Sequence, residues 1–500
     1  MGQCGQGPED SGVNPSRKQW EDGLKMRMTM EEVMRRVTDE QIQMIDLKFI
    51  DISGQWHHLT IPASTLSEKT FHEGVPFDGS STGFKTIEAG DMVLIPDPAT
   101  TRPDPFWEVK TLSMVCEAAE ADTKAAFAGD PRVIARRAEQ YLEASGIADQ
   151  NLWSPEFEFY IFDSINYQSD INMAQYIIDS VEADWNSGMD LDRNLGHKIP
   201  RKGGYHAIPP LDVMFNIRTE MVRVIEESGI SVRYHHHEVG GPGQSEIEIL
   251  FSPLVQAADN AMWIKYVIKM IAHMRNRTVT FMPKPLYNEA GSGMHIHQKL
   301  FKRGEPLFFD PSGYAGLSKT AMQYIGGILS HGPSLIAFTN PSTNSFKRLV
   351  PGFEAPVNLF FSLANRSAAI RIPKYAIEPH EKGIEFRPPD ATCNIYLAMS
   401  AILMAGIDGI RKGIDPTEAG FGPLDEDIEK VSKRVKARLK PLPASLKEAL
   451  DALEKDHQYL LEGGVFTPEI IETWIERKMK EYYEVRNRPH PYEMNLYYDA

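Results

Sequence analysis

Apolar and polar positions alternate along some stretches of this chain and recur at helical spacing along others. Residues 44–52 read Met-Ile-Asp-Leu-Lys-Phe-Ile-Asp-Ile and stop at Ser53-Gly54, which predicts a strand, a turn and a returning partner over 57–61. Shorter strands are predicted over 92–96 and 111–117. Between them, Phe77-Asp78-Gly79-Ser80-Ser81-Thr82-Gly83 is a turn-prone loop. Helical spacing over 20–37 opens the fold, so residues 30–128 read as a small sheet-rich domain. The Gly-, Gln-, Ser- and Pro-containing stretch over 1–29 has no apolar signal region and reads as a disordered tail.

Gly129-Asp130-Pro131-Arg132 marks a boundary. Asp130 can cap a helix over 132–145 with Pro131 at its first position. Beyond it, helical spacing recurs over 171–185, 214–228, 254–276, 318–329, 394–411, 445–463 and 467–482. Strand patterns fall singly between, over 155–163, 231–239, 246–250, 294–301, 368–372 and 384–387. Strands scattered among helices over so long a span predict one large α+β domain over 129–500, with an antiparallel sheet flanked by helices.

The strand over 155–163 places Glu156 and Glu158 on one face and Phe157 and Phe159 on the other. An isolated Glu-x-Glu is more often the solvated face of an edge strand, but here the pattern recurs. Tyr234, His236 and Glu238 share a face. Gly240-Gly241-Pro242-Gly243 then turns the chain into Gln244, Glu246 and Glu248. His295 and His297 alternate after Gly291-Ser292-Gly293, and Glu385 and Arg387 alternate further on. If these strands are neighbours, their carboxylates and imidazoles converge, which requires divalent metal. An oxygen-rich set with imidazole suits Mg²⁺ or Mn²⁺ rather than zinc. Lys347, Arg348, Arg366, Arg371 and Arg387 lie in loops and strand ends, where they could hold an anionic substrate and a transferring phosphoryl group; for any one of them a structural ion pair is the competing reading. The chain contains no Gly-Lys dipeptide and so no Walker A loop.

Composition narrows the class further. Five hundred residues with 42% hydrophobic and 24% charged side chains describe a soluble globular protein of more than one domain. A formal charge of −16 argues against nucleic acid as a partner. Cys4, Cys116 and Cys393 are too few and too scattered for a disulfide framework, which favours the cytoplasm. The longest apolar run, over 395–406, falls short of the ~20 residues that a membrane span needs, so no membrane contact is expected.

Several motifs together resemble type I glutamine synthetases, in the family's order: Phe77-Asp78-Gly79-Ser80-Ser81, Pro155-Glu156-Phe157-Glu158-Phe159, Lys202-Gly203-Gly204-Tyr205, His236-His237-Glu238-Val239, Gly291-Ser292-Gly293-Met294-His295, the run from Asn344 through Arg348 and Glu354 to Pro356, Asn365-Arg366-Ser367 and Glu385-Phe386-Arg387. The resemblance runs from about residue 30 to the C-terminus. It implies an N-terminal β-grasp domain, a large catalytic domain, and two stacked hexameric rings with active sites between subunits. It implies that Glu158, Glu238 and Glu246 hold one metal ion, Mg²⁺ or Mn²⁺, and that Glu156, His295 and Glu385 hold a second. By the same resemblance Gly291, Arg348 and Arg387 bind glutamate. Phe251, His297, Arg366 and Arg371 bind ATP. Asp78, Ser81, Tyr205, Glu238 and Glu354 form an ammonium pocket, and Asp78, Glu354 and Arg366 act in catalysis. The implied reaction joins ammonia to L-glutamate through γ-glutamyl phosphate, giving L-glutamine, ADP and phosphate. The alternative is a γ-glutamyl-amine ligase taking an alkylamine or polyamine. The chain departs from the family pattern at Ala290, where an Asn is usual, at Lys299 in place of a serine, at His380 in place of a lysine, and at Gly383 in place of a cation.

Overall fold

The alternating stretch at 44–52 folds as β1 (Met44–Ile50) and turns at Ser53-Gly54 into antiparallel β2 (Trp56–Pro62). Gly54 sits at φ +90°, a conformation that disfavours any side chain. The computed structural model describes residues 28–189, 194–352, 355–426, 428 and 430–500. Residues 1–27 of the expected tail, and with them the start of the helix expected over 20–37, lie outside the described residues. The rest of that helix runs Met30–Asp39, opened by a reciprocal capping pair between Thr29 and Glu32. With β3 (Val75–Asp78), β4 (Asp91–Pro96), β5 (Arg102–Asp104) and β6 (Thr111–Glu120), the first sheet has the order β2-β1-β6-β4-β3, with β5 on β6. Its β1–β6 pair is parallel. Val33 of the helix closes a core with Ile45, Leu47, Leu94 and Leu112.

The expected boundary is a cap and a clamp. Asp130 accepts from the Arg132 amide at 2.7 Å and from the Ala118 amide at 2.6 Å, which starts the helix Pro131–Ala144. The buried Arg132 guanidinium pairs with Asp97 at 2.6 Å, Glu117 at 2.9 Å and Asp259 at 2.9 Å. One cation thus ties the first sheet to the helix Leu254–Met274 of the second unit.

The second unit is built on β7 (Gln150–Phe162). After β7 the chain makes a separate ribbon of β8 (Ser164–Asp170) and β9 (Met173–Asp179). It then supplies β10 (Val232–His237), β11 (Gln244–Ile249), β12 (Thr278–Thr280), β13 (Ile296–Lys302), β14 (Glu305–Pro306), β15 (Asn358–Leu359), β16 (Phe361–Leu363), β17 (Ile370–Ile372) and β18 (Ile384–Phe386). The sheet order is β10-β11-β7-β13-β18-β17-β16, with β12 on β7 and β14 on β13. Its pairs are antiparallel, as expected, except β16–β17. On one face Phe157, Phe159 and Ile247 join the apolar core with the helices Leu254–Met274 and Ile395–Lys412. The other face is left to Glu156, Glu158 and their neighbours.

Two helix expectations are corrected. Residues 171–185 are not helical: Met173–Asp179 is β9, and only Asp184–Asn186 forms a short 3-10 turn. Ile177 and Tyr176 in this stretch are 62% and 56% exposed, so no helix face is buried here. Its apolar spacing fits either period, and ladder pairing to β8 selects the strand. The helix expected over 445–463 breaks into Leu446–Lys455 and Gln458–Leu461. At the break Asp456 leaves helical geometry, and its carboxylate faces His331.

His331 is clamped between two acids, with Nδ1 2.8 Å from Asp456 and Nε2 2.8 Å from Asp408, under the Tyr459 ring. Burial would discharge this imidazole, but hydrogen bonds and charge from Asp408 and Asp456 raise its pKa above 6.5. The clamp's stabilisation is therefore complete below pH 6.5 and lost as pH rises through the raised value. The stability gap between wild type and His331→Asn, read from thermal midpoints, narrows as pH is raised beyond 6.5. A gap that does not change with pH would mean that the imidazole is uncharged.

Candidate active site

Register places the polar side chains of the large sheet in one row. In the β10–β11 ladder His236 stands opposite Glu246 and Tyr234 opposite Glu248. In the β11–β7 ladder Glu246 stands opposite Glu158 and Glu248 opposite Glu156. Across β13 and β18, His297 meets Glu385, and Glu385 in turn meets Arg371 of β17. Residues directly opposite in a ladder share a face. Five strands thus project one band of acids and imidazoles toward a cleft of about 610 Å³.

The expected trio Glu156, His295 and Glu385 comes together with ligand atoms within 4.8 Å of one another. His295 Nδ1 lies 2.7 Å from Glu156, 3.8 Å from Glu158 and 3.9 Å from Glu385. Of the other expected trio, Glu238 and Glu246 converge, but the third member at ligand distance is His236. Glu158 lines the same cleft, with one carboxylate oxygen accepting from the Gly293 amide at 2.6 Å. A third grouping, Glu156, Glu248 and His297, also lies within ligand reach. The reading of site residues from sequence left His236 and Glu248 out of its ligand sets. The period-two alternation on β10 and β11 is the signal that could have placed them there.

The electrostatics follow from crowding carboxylates away from water. Burial, then the charge of Glu158, pushes the Glu238 carboxyl up to about 7. Burial with the charges of Glu156, Glu238 and Glu158 pushes Glu246 well above its ordinary value. Burial acts the same way on Glu156, but hydrogen bonds from His295 and His297 hold it well below the usual range. For Glu385, the cations Arg387 and His297 outweigh burial and bring it to about 2. Without a metal, this site answers its own repulsion by protonating Glu238 and Glu246. Two acids left protonated beside ionised ones are what a divalent cation would replace, so the donor set fits such an ion. In the metal-free chain the two protons favour the fold below the ordinary 4.5; the Glu238 contribution is lost as pH rises through about 7, and that of Glu246 as pH rises through its own raised value. Binding of Mg²⁺ or Mn²⁺ is therefore expected to strengthen with pH through about 7 and to release protons. Calorimetric titration in two buffers of unlike ionisation heat measures that release. Identical heats in both would mean that no carboxyl is protonated.

The cationic side is equally specific. Arg348 is 4% exposed. Its Nη1 donates to Pro388 O at 2.7 Å and Pro389 O at 3.3 Å, and its Nη2 to Arg387 O at 3.2 Å. Among the described residues no carboxylate pairs with it, and burial lowers its pKa. Gly291 and Gly293 make its place: a Cβ at 291 would stand 2.8 Å from Arg348 Cγ, and one at 293 would stand 2.3 Å from Nη2. Arg371 and Arg387 both bind Glu385, while Arg366 lines the cleft beside them. Phe251 meets His297 edge-on at 6.4 Å. Tyr205 lines the cleft, stacked on His206 at 4.2 Å.

Asp78 and Ser81 are not brought to this cleft. They lie exposed at the end of β3 and in the turn that follows it, where Asp78 accepts from Ser80 Oγ and Ser81 Oγ at 2.7 Å each. Those bonds depress its carboxyl. Glu354 lies outside the described residues.

Comparison with known proteins finds two family models on this chain. The model described as glutamine synthetase, catalytic domain, matches residues 128–497, and the model described as glutamine synthetase, beta-Grasp domain, matches 41–121. A glutamine synthetase of Frankia alni is 50% identical over 472 residues, covering 94% of this chain and 99% of its own. One from Mycolicibacterium smegmatis is 48% identical over 478 residues, with the same coverage. Among solved structures, a Plasmodium falciparum glutamine synthetase superposes with a TM-score of 0.85 at 28% identity, covering 94% of this chain and 99% of its own.

Proposed function

Because the chain belongs to the glutamine synthetase family, we propose a role for each side of the cleft in the ATP-dependent joining of ammonia to L-glutamate. That reaction yields L-glutamine, ADP and phosphate through γ-glutamyl phosphate. One juxtaposition carries the assignment: a buried guanidinium that pairs with no carboxylate among the described residues, Arg348, faces the same cleft as the trio Glu156, His295 and Glu385. The first is built for a carboxylate substrate, the second for a cation and phosphate.

Arg348, Arg387 and the Gly291 backbone hold glutamate, leaving its γ-carboxylate toward the acidic band. Glu156, His295 and Glu385 would hold one divalent ion and Glu158, Glu238 and Glu246 another, Mg²⁺ or Mn²⁺; bound there, they would neutralise phosphate oxygens and fix the accepting carboxylate. His236 stands close enough to Glu238 and Glu246 to join the second set. Arg366, Arg371 and His297 face the transferring phosphoryl group, and Phe251 supports the base. The γ-carboxylate attacks the γ-phosphorus and ADP leaves. Ammonium then gives a proton to Asp78, and ammonia attacks the activated carbonyl and displaces phosphate. Tyr205, Ser81, Glu238 and Glu354 form the ammonium pocket, and closure over it excludes water from the acyl phosphate.

Asp78 would reach this chemistry from a neighbouring subunit, in two stacked hexameric rings. Its exposed position on the first sheet, away from its own chain's cleft, supports that arrangement. So do apolar side chains that a lone chain leaves to water: Ile171 of the β8–β9 ribbon is 100% exposed, and Tyr497 of the helix Pro491–Tyr497 is 65% exposed. No described helix is long and apolar enough to cross a membrane. Cys116 and Cys393 are buried and free, which supports a reducing cytoplasm.

The deciding assay follows phosphate release with glutamate and ATP, comparing ammonium with methylamine and putrescine. Ammonium is expected to give the higher kcat/KM. Faster turnover with either amine would replace this assignment by the γ-glutamyl-amine ligase.

A further inference from the structure

The far end of β13 carries a cation that the proposed reaction does not use. His295, His297 and Lys299 alternate along the chain and point to one face, each about 7 Å beyond the last. His295 stands in a metal trio, and His297 binds Glu156 at 2.8 Å and meets the Phe251 ring edge-on. Lys299 comes next. Its Nζ lies 4.1 Å from the centroid of that same ring and donates to the His380 carbonyl at 3.1 Å. Read from the metal trio outward, the strand runs from the phosphate end to the base end of a bound nucleotide. This ordering rests on the reading of Phe251 as the base platform.

Three observations mark this corner as a place made for a ligand's polar edge. An ammonium has three donors, and among the described residues Lys299 Nζ makes one hydrogen bond. Its stem has room because position 383 is glycine: a Cβ there would stand 3.1 Å from Lys299 Cγ and 2.9 Å from Gln298 O. His380 Nδ1, in the same corner, is buried without a partner, while its ring stacks on Phe301. Burial draws the Lys299 ammonium down to about 8, so it is still charged at neutral pH.

Donor-only chemistry discriminates between purines. A 6-oxopurine such as guanine or hypoxanthine offers O6 and N7, both acceptors that an ammonium can bind together; adenine offers N7 beside an amino group that needs an acceptor. Adenine thus offers the ammonium one acceptor, N7, where a 6-oxopurine offers two. We propose that Lys299 is a specificity-determining residue for the nucleotide, and that it admits GTP and ITP as phosphoryl donors beside ATP.

The test measures kcat/KM for ATP, GTP and ITP at saturating glutamate and ammonium, together with calorimetric binding of ADP and GDP. It uses wild type, Lys299→Ser, Lys299→Met, Lys299→Arg and Phe251→Ala. Loss of one charge-assisted hydrogen bond is expected to move the ATP-to-GTP ratio about tenfold toward ATP in the Ser and Met variants. Arg, which keeps the donors, should retain the wild-type ratio, and the ADP-to-GDP affinity ratio should follow the same pattern. A ratio unmoved in the Ser and Met variants overturns the proposal while leaving the base platform standing, provided that Phe251→Ala weakens every nucleotide. If Phe251→Ala weakens none, the base is held elsewhere and the proposal falls with that reading. Should Lys299→Ser not fold, the Met and Arg pair decides alone.

Discussion

Glu385→Gln is expected to lower the rate of glutamine formation at least about a thousandfold while the protein stays folded. Glu385 is 0% exposed and binds two guanidiniums, those of Arg371 and Arg387. Its carboxyl, at about 2, stays ionised at every working pH, and its contribution to stability is present above 4.5 and lost only as pH falls toward about 2. It also closes the trio with Glu156 and His295. A carboxamide keeps the shape and one acceptor but loses the anion that both the arginines and a divalent ion require. Glu385→Ala is the harsher change, because it strands two cations in a buried place at a cost of about 3–5 kcal/mol. The glutamine variant therefore reports on chemistry and the alanine variant on the fold. If Glu385→Gln loses activity only in step with soluble, folded protein, as judged by sedimentation and circular dichroism, Glu385 is a structural ion pair and its place in the metal trio is wrong.

The second large effect is expected at Arg348. Arg348→Lys keeps the charge and most of the volume but loses the planar fork. KM for glutamate should rise about a hundredfold, the worth of roughly 3 kcal/mol in paired charge-assisted hydrogen bonds, while KM for ATP changes little. The reason lies in its surroundings: the guanidinium is buried, held in place by the carbonyls of Pro388, Pro389 and Arg387, and pairs with no acid among the described residues. Lysine is preferred to alanine because the arginine stem also packs against Gly291 and Gly293. A rise in KM for ATP with glutamate affinity intact would move Arg348 to the phosphate side.

Glu238 and His236 show how much of this site alternation can reveal. The period of two placed both on a common face of β10 and its turn, and it placed Glu246 and Glu248 on a common face of β11. It could not say which acid meets which. Glu158 stands opposite Glu246 because β7 and β11 pair in that register, and a slip by one residue would turn every one of these carboxylates into the apolar layer. That register also puts Glu248 opposite Glu156, so that a third acid–imidazole grouping forms beside the expected two. Helix reading failed at 171–185 for a related reason. Ile171, Ile177 and Ile178 suit either period, and the choice was made by ladder pairing with β8, the strand just before this stretch.

The sequence by itself determined the parts: which side chains are acids, imidazoles and cations, that the strands carrying them are amphipathic, and that Asp130-Pro131 can start a helix. These are local properties, set by side-chain chemistry and by repeat periods of two or about 3.6 residues. Only the tertiary structure decided how the parts are grouped. It left Arg348 buried with no ion-paired acid among the described residues, put Lys299 over Phe251 in room made by Gly383, and kept Asp78 away from its own chain's cleft. Each of these depends on contacts between residues tens to hundreds of positions apart, which strand register and close packing settle and which no short-range pattern can encode.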